Sequence, residues 1–357
     1  DERKSGLLPP TIGVDNIGGL EYTQPYYWNL APNRDITFTP TYWSQRGIKL
    51  STEFRYLEGL APLQAPFAGL MRFDYMQSDK LREDSRRWSM NYTHTGLINP
   101  AFAGGGLGLT LNVNRVSDDN YWKDFSLSST AGIQRLLSSD VGLTWSDGFI
   151  TTGLRAQKWQ TLQDLANTAN RITPPFDRLP QLTARLQRYN IAGGFDFSVD
   201  GDFSRFSSAR EMDCATAASN PNSKSFYNCA PNADRAASWV QLSRPFVTPY
   251  GYVTPKVQLH GRSYQFDGGL PNTQFYDGHQ GQTSAAVTVP TFSLDAGMAF
   301  ERDSRLFNRA WIQTLEPRVF YVNTPYREQN YLPNYDSGGN SFNFASIFTE
   351  NAFGGHD

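Results

Sequence analysis

Apolar and polar side chains alternate one by one along most of this chain. Leu107-Gly108-Leu109-Thr110-Leu111-Asn112-Val113-Asn114 is the cleanest run. Trp88-Ser89-Met90-Asn91-Tyr92-Thr93, Phe195-Asp196-Phe197-Ser198-Val199-Asp200 and Phe292-Ser293-Leu294-Asp295-Ala296 repeat it. A period of two sends successive side chains to opposite faces of a strand. The second face carries Ser, Thr, Asn, Asp, Arg and Gly over the whole length, wetter than an ordinary solvated sheet requires. The pattern predicts about fifteen strands, near 6–15, 19–28, 35–44, 48–57, 69–78, 86–95, 106–117, 141–147, 149–160, 180–189, 193–206, 235–246, 250–265, 290–303 and 309–324. The best of them exceed the five or six residues typical of soluble strands and approach the roughly 9–11 that cross a bilayer when tilted.

The connections alternate too. After even strands they are mostly short, as at 32–35, 147–148 and 248–249. After odd strands, from the fifth onward, they are mostly long: 79–85, 118–140, 161–179, 207–234, 266–289 and 325–357. The connection 58–68 breaks the rule. Short turns at one end and long loops at the other mark an outer-membrane barrel. Soluble alternatives fit less well. A propeller needs a repeat of about 40–50 residues, and sandwich strands are shorter with turns every 8–12 residues. The expected fold class is therefore all-β, an antiparallel transmembrane β-barrel, with residues 1–357 forming part of it. An odd count of strands and a loop-like end, SFNFASIFTENAFGGHD, predict closing strands downstream. The opening DERKSG reads as the middle of a longer chain, which places any export signal upstream.

Composition narrows the function. Of 357 residues, 30 are Gly and 21 Pro, 14% are aromatic and 18% charged, and the net charge is −2, so no basic surface points to nucleic acid. No stretch approaches the about 20 apolar residues of a membrane helix, and a mean hydropathy of −0.51 is compatible with strands that are apolar on one face only. The histidines at 94, 260, 279 and 356 lack metal-ligand spacing, and no GxSxG, P-loop or GxGxxG is present. The expectation is no catalytic site, no metal and no cofactor, with a lipid hydrolase as the enzymatic alternative. Asp196, Asp200 and Asp202 share a face and read as a hydrated wall. Arg155, Arg185, Asp295, Glu301, Glu316 and Arg318 are candidates for a lumen-facing row. Trp28, Trp43, Trp88, Trp145 and Trp159, with Tyr26 and Tyr27, fall near strand ends and suit an interfacial girdle or ordinary packing. Cys214 and Cys229 lie in a polar, turn-prone stretch; a local disulfide is favoured over two free thiols, and it implies an oxidising compartment. TPYREQNYLPNYDSGGN reads as an ordered loop, with a weak hint of a bound cation.

The first two predicted strands contain prolines. With the turn centred near Ile17, Pro10 lies opposite residue 24 and Pro25 opposite residue 9, so ladder hydrogen bonds are lost at one level. Each is worth about 0.5–1.5 kcal/mol in water, and an unpaired group in hydrocarbon costs several kcal/mol. A weak first hairpin makes a weak seam.

SGLLPPT, PYYWNLAPNRDITFTPTY, FRYL at 54–57, LPQLTARLQ, TLEPRVFYVNTPYREQNYLPNYDS and ENAFGGHD together resemble the lipopolysaccharide-assembly outer-membrane protein family, LptD, also called organic solvent tolerance protein. The resemblance spans nearly the whole chain. It implies the first half of a barrel of about twenty-six strands, multi-pass in the outer membrane, with a periplasmic jelly roll upstream. It implies lipopolysaccharide and outer-membrane lipids as partners, an LptE-type lipoprotein plug in the lumen, and a periplasmic bridge protein reached through the upstream domain. It implies a lateral gate between first and last strands, with Pro10 and Pro25 at the gate-weakening positions. The family's structural disulfides use cysteines outside this chain, so Cys214 and Cys229 depart from its pattern. The functional expectation is a lipopolysaccharide translocon; a general porin or receptor barrel passing small solutes is the alternative.

Overall fold

The computed structural model describes residues 3–60, 65–99, 101–125, 135–163, 172, 174–208, 230–307, 309–341, 343 and 346–357. Two compact units divide the chain: Asp1–Asp147 with Gly153–Pro180, and Gly148–Thr152 with Gln181–Asp357. Among the described residues, eighteen strands take part in the main antiparallel sheet.

The first unit holds β1 (Gly6–Leu7), β2 (Thr11–Asp15), β3 (Gly19–Thr23), β4 (Tyr26–Ala31), β5 (Arg34–Trp43), β6 (Gly47–Leu60), β7 (Ala65–Asp79), β8 (Ser85–Asn99) and β9 (Gly106–Val116), then a one-turn helix α1 (Tyr121–Phe125) and β10 (Leu136–Asp147). Each strand from β5 to β10 pairs with the next in the chain. β11 (Ile150–Thr161) and β12 (Asp177–Ile191) contribute to both units. The second unit holds β13 (Phe195–Ser207), β14 (Ala233–Ser243), β15 (Phe246–Thr248), β16 (Gly251–Phe266), β17 (Ser284–Met298), β18 (Phe300–Leu306), β19 (Arg309–Leu315), β20 (Arg318–Asn323), β21 (Gly338–Gly339) and β22 (Phe353–Gly354).

The registers sort side chains into two faces. In the first unit, Leu50, Tyr75, Trp88 and Met90 share a face with Val113, Leu111, Leu109, Val141 and Leu143, while Ser51, Asp74, Ser89, Asn91, Asn114, Asn112 and Asp140 share the other. In the second unit, Leu242, Val257, Leu259, Phe292 and Tyr321 oppose Gln241, Lys256, Gln258, Ser293 and Asp295. The apolar face is the exposed one: Val257 is 49% and Phe292 41% accessible, against 2% for Ser293 and 7% for Lys49. A soluble sheet buries its greasy rows; this one turns them out.

Several expected boundaries shift. The two opening strands are each cut at their prolines. The exception at 58–68 disappears, because β6 runs to Leu60 and β7 starts at Ala65, with Gly59 paired to Pro66. Gly and Pro punctuation had mimicked a loop there. The predicted strands 290–303 and 309–324 each break in two: β17 pairs with β20, whereas β18 and β19 form a separate ribbon. Pro317 lies at the break, and its carbonyl accepts the N–H of Met298 at 3.0 Å.

Glycine is required where a tyrosine lies flat on the strand beside it. Tyr56 is paired with Gly69 and its ring occupies the space a Cβ would take. From there the Tyr56 hydroxyl meets that of Tyr92 at 2.8 Å and Nδ1 of His94 at 2.5 Å. Tyr252 covers Gly297 in the same way. Gly69→Val should displace Tyr56 from both partners and lower stability by about 1–3 kcal/mol, read as a lower urea midpoint; an unchanged midpoint would show that the ring's seat does not matter.

Candidate functional site

The opening hairpin is stitched at its tip and base and interrupted between. At the tip, β2 and β3 pair from Thr11–Thr23 to Asp15–Gly19. The turn is tied to its neighbour by the N–H of Ser44 on the Leu20 carbonyl (3.0 Å) and that of Gln45 on the Gly18 carbonyl (3.1 Å). At the base, β1 and β4 pair only at Gly6–Tyr27 and Leu7–Tyr26. Extending the tip register puts Pro10 level with Gln24 and Pro9 with Pro25. The base register is offset by one, so Leu8, Pro9 and Pro10 oppose Gln24 and Pro25, as in a β-bulge. The parity of the first strand changes accordingly: Leu7 is exposed on one side of the bulge, Ile12 and Val14 on the other.

The second strand does not shift. Thr23–Thr41 and Tyr26–Phe38 keep one register with β5, and the Gln24 N–H donates to the Pro40 carbonyl at 3.2 Å. Backbone groups alternate sides along a strand. The nitrogen after Gln24 therefore faces the first strand, and it belongs to Pro25. The Pro25 carbonyl accepts the Leu8 N–H at 2.9 Å. The return bond, from residue 25 to the Leu8 carbonyl, has no backbone donor.

The other singled-out residues fall as follows. Asp295 and Arg318 form a two-pronged ion pair at 2.6 and 2.8 Å, and Tyr252 donates its hydroxyl to Asp295 at 3.2 Å. Arg155 pairs with Asp140 at 3.3 Å, and Arg185 with Asp200. Asp202 is buried and accepts from Gln181 at 2.6 Å. Glu301 is on the β18–β19 ribbon and Glu316 follows β19, both exposed and outside the main sheet. Trp43 is buried and packs against Phe125, 5.9 Å between centroids. Trp28 is 45% exposed beside Tyr26 on the apolar face. Cys214 and Cys229 lie outside the described residues.

Sequence reading missed two buried ion networks. In the first unit, Arg87 (1% exposed) holds Asp79 at 2.9 Å, Asp118 at 2.8 Å and Asp124 at 2.7 Å. Arg46 reaches Asp79 at 2.7 Å and Asp124 at 3.1 Å, and Arg82 reaches Asp124 at 3.0 Å. The Phe125 ring sits over Arg46, Lys49 and Arg87, at 5.1, 4.7 and 4.7 Å. Helix α1 is thus clamped onto the strand ends by Asp124 and Phe125. Burial alone would raise the Asp124 carboxyl, but hydrogen bonds from Arg82 and Arg87 and the Arg46 charge outweigh it and hold it below the usual range.

In the second unit, fully buried Arg235 meets Asp202 at 3.2 Å, Asp336 at 2.7 Å and Asp357 at 2.8 Å. Asp336 belongs to the NYDSGG stretch, so the cation this loop receives is a guanidinium. Among the described residues no cluster suits a metal ion. The same segment runs over the polar face: Glu350 accepts from Lys256 and Ser293, each at 2.8 Å, and Phe348 lies 4.2 Å under the Arg318 guanidinium. Nothing local in the sequence marks these contacts, whose partners lie far apart in the chain.

Long antiparallel strands with apolar rows on one face and polar, charged rows on the other have the construction of a barrel wall. Comparison with known proteins gives it a family. Residues 85–357 match the model of LptD, LPS transport system D. A relative from Albidiferax ferrireducens named LPS-assembly protein LptD is 51% identical over all of this chain and 41% of its own length. Relatives of the same name from Polaromonas sp. and Ralstonia nicotianae are 47% and 36% identical, again over the whole chain and 40% of theirs. The chain belongs to the LptD family, and it spans about two fifths of the length of these curated relatives.

A carboxyl held below its unfolded pKa contributes stability that is present above the ordinary carboxylate range and lost as pH falls through the folded value. The α1 clamp should therefore loosen in acid. Proteolysis within 117–125 is expected to rise as pH falls below about 4, and Asp124→Asn should already be cleaved faster at neutral pH. Cleavage independent of pH in the unaltered protein would contradict the clamp.

Proposed function

We propose that this chain is part of the wall of an outer-membrane barrel that passes lipopolysaccharide to the outer leaflet. The observation that carries this reading is the inverted burial, apolar rows exposed and charged rows inside, in a member of the LptD family. Lipopolysaccharide is itself divided between acyl chains and a charged saccharide. A wall that parts sideways lets the chains enter the bilayer while the sugar stays in water. No step of this needs bond chemistry; the protein is a conduit and not a catalyst.

The opening hairpin is the proposed side door, with Pro10 and Pro25 as its weak level. In hydrocarbon an unpaired backbone group costs several kcal/mol, so a seam cannot part cheaply where every rung is bonded. It parts most easily where rungs are already missing. An LptE-type lipoprotein is the proposed plug on the polar face, and a periplasmic bridge protein the proposed supplier through an upstream domain.

Pro10→Ala with Pro25→Ala in the full-length protein should restore the ladder bond missing at residue 25 and slow delivery of lipopolysaccharide to the surface by roughly 2- to 10-fold. Undiminished surface lipopolysaccharide in correctly assembled double mutant would overturn the gate. Steady conductance of small ions through the plugged full-length protein would favour the porin reading instead.

A further inference from the structure

We propose that Gln24 is the positioning residue that closes the opening hairpin at Pro25, its side-chain amide standing in for the N–H that proline lacks. The consequence for lipopolysaccharide release rests on the gate reading above; the local bond does not.

The geometry is specific. Leu8 and Pro25 face each other as a hydrogen-bonded pair whose one backbone bond, Leu8 N–H to the Pro25 carbonyl, is made at 2.9 Å. The return bond would end on the Leu8 carbonyl. Gln24 Nε2 donates to that carbonyl at 2.8 Å, and lies 3.2 Å from the Pro25 carbonyl as well. The other end of the amide is fixed, since the Tyr22 hydroxyl donates to Oε1 of Gln24 at 3.1 Å. The Leu8 carbonyl can only accept, so the end of the amide that points at it is the nitrogen. Tyr22, Gln24 and Tyr26 share one side of a strand whose register with β5 is unbroken. That side is the apolar one, where Leu7, Ile12 and Trp28 are exposed. Facing lipid, the Leu8 carbonyl has no water to turn to. The side-chain amide is its donor.

A rung made by a side chain differs from one made by backbone. It breaks by rotamer change, with no movement of either strand. The hairpin can therefore be closed at rest and still open more readily than a continuous ladder. Gln24 and Pro25 act in opposite directions on the same rung: proline removes the fixed bond, glutamine supplies a releasable one.

The test is a two-by-two set in the full-length protein with its partner lipoprotein, reconstituted in phospholipid nanodiscs. Gln24→Met keeps the size of the side chain and deletes the donor; Pro25→Ala restores the backbone donor. Hydrogen exchange of the peptide covering residues 5–12 should speed up about 2- to 10-fold on Gln24→Met, and should not change when the same substitution is made in the Pro25→Ala background. Tyr22→Phe should produce a smaller acceleration of the same sign, which keeps the test open if Gln24→Met assembles poorly. Equal exchange with and without the amide, or the same acceleration in both backgrounds, would overturn the latch. Surface delivery of lipopolysaccharide is measured on the same set. Exchange that moves while delivery stays fixed would leave the latch standing and overturn the gate.

Discussion

A strand with lipid on one side has only its neighbours to satisfy its N–H and C=O groups, and the structure follows from that constraint. Water is not available to replace a missing rung, so an unmade bond costs several kcal/mol where in water it would cost a fraction. Pairing from β5 to β10, with register shifts only at Met76–Asp79 and Leu97–Asn99, and from β13 to β17 meets the demand. The exceptions are then informative. Three residues against two at Pro9, Pro10 and Pro25 is a place where the chain gives up fixed rungs, and the Gln24 amide shows that one of the orphaned carbonyls is still served.

The polar face follows a different logic. Ion pairs run along the strands, as at Arg155–Asp140 and Arg318–Asp295, and the buried ones gather around Arg87 in one unit and Arg235 in the other. Each of these last two arginines is fully or almost fully buried and meets three carboxylates. Such networks are weak evidence of net stability, because desolvation opposes the attraction, but removing one member strands the others at about 3–5 kcal/mol. Their effect is to fix position: α1 is pinned around Arg87, and Asp336 and Asp357 around Arg235. Phe348 and Glu350 also reach Arg318, Lys256 and Ser293, so part of the polar face is already occupied by the chain itself.

Much of this was legible in the sequence because strand geometry has a period of two. Leu107 to Asn114 reveals both faces without any coordinates, and centring one turn near Ile17 suffices to bring Pro10 and Pro25 to one level. The extra residue at Leu8–Pro10 was not legible, because Leu7 and Leu8 are both apolar and the stretch 6–15 reads as one strand. What stayed hidden were contacts between residues far apart in the chain. Nothing local in NYDSGG says that Asp336 will meet Arg235, and nothing near Asp124 names Arg46. The Gln24 amide was hidden for another reason: its partner is a backbone carbonyl, which every residue has. Gly59 and Pro66 misled because loop-forming residues also occur near the ends of long paired strands.

The central claim is the inversion of the two faces, and adjacent residues on one strand test it most directly. Spin labels placed one at a time at Val257, Gln258, Phe292 and Ser293 of the full-length protein in a bilayer report collisions with lipid-dissolved oxygen and with a water-soluble nickel chelate. The account predicts strong oxygen access at 257 and 292 and weak access at 258 and 293, with the chelate following the opposite order. Accessibility that does not alternate, or 257 and 292 shielded from lipid, would contradict it.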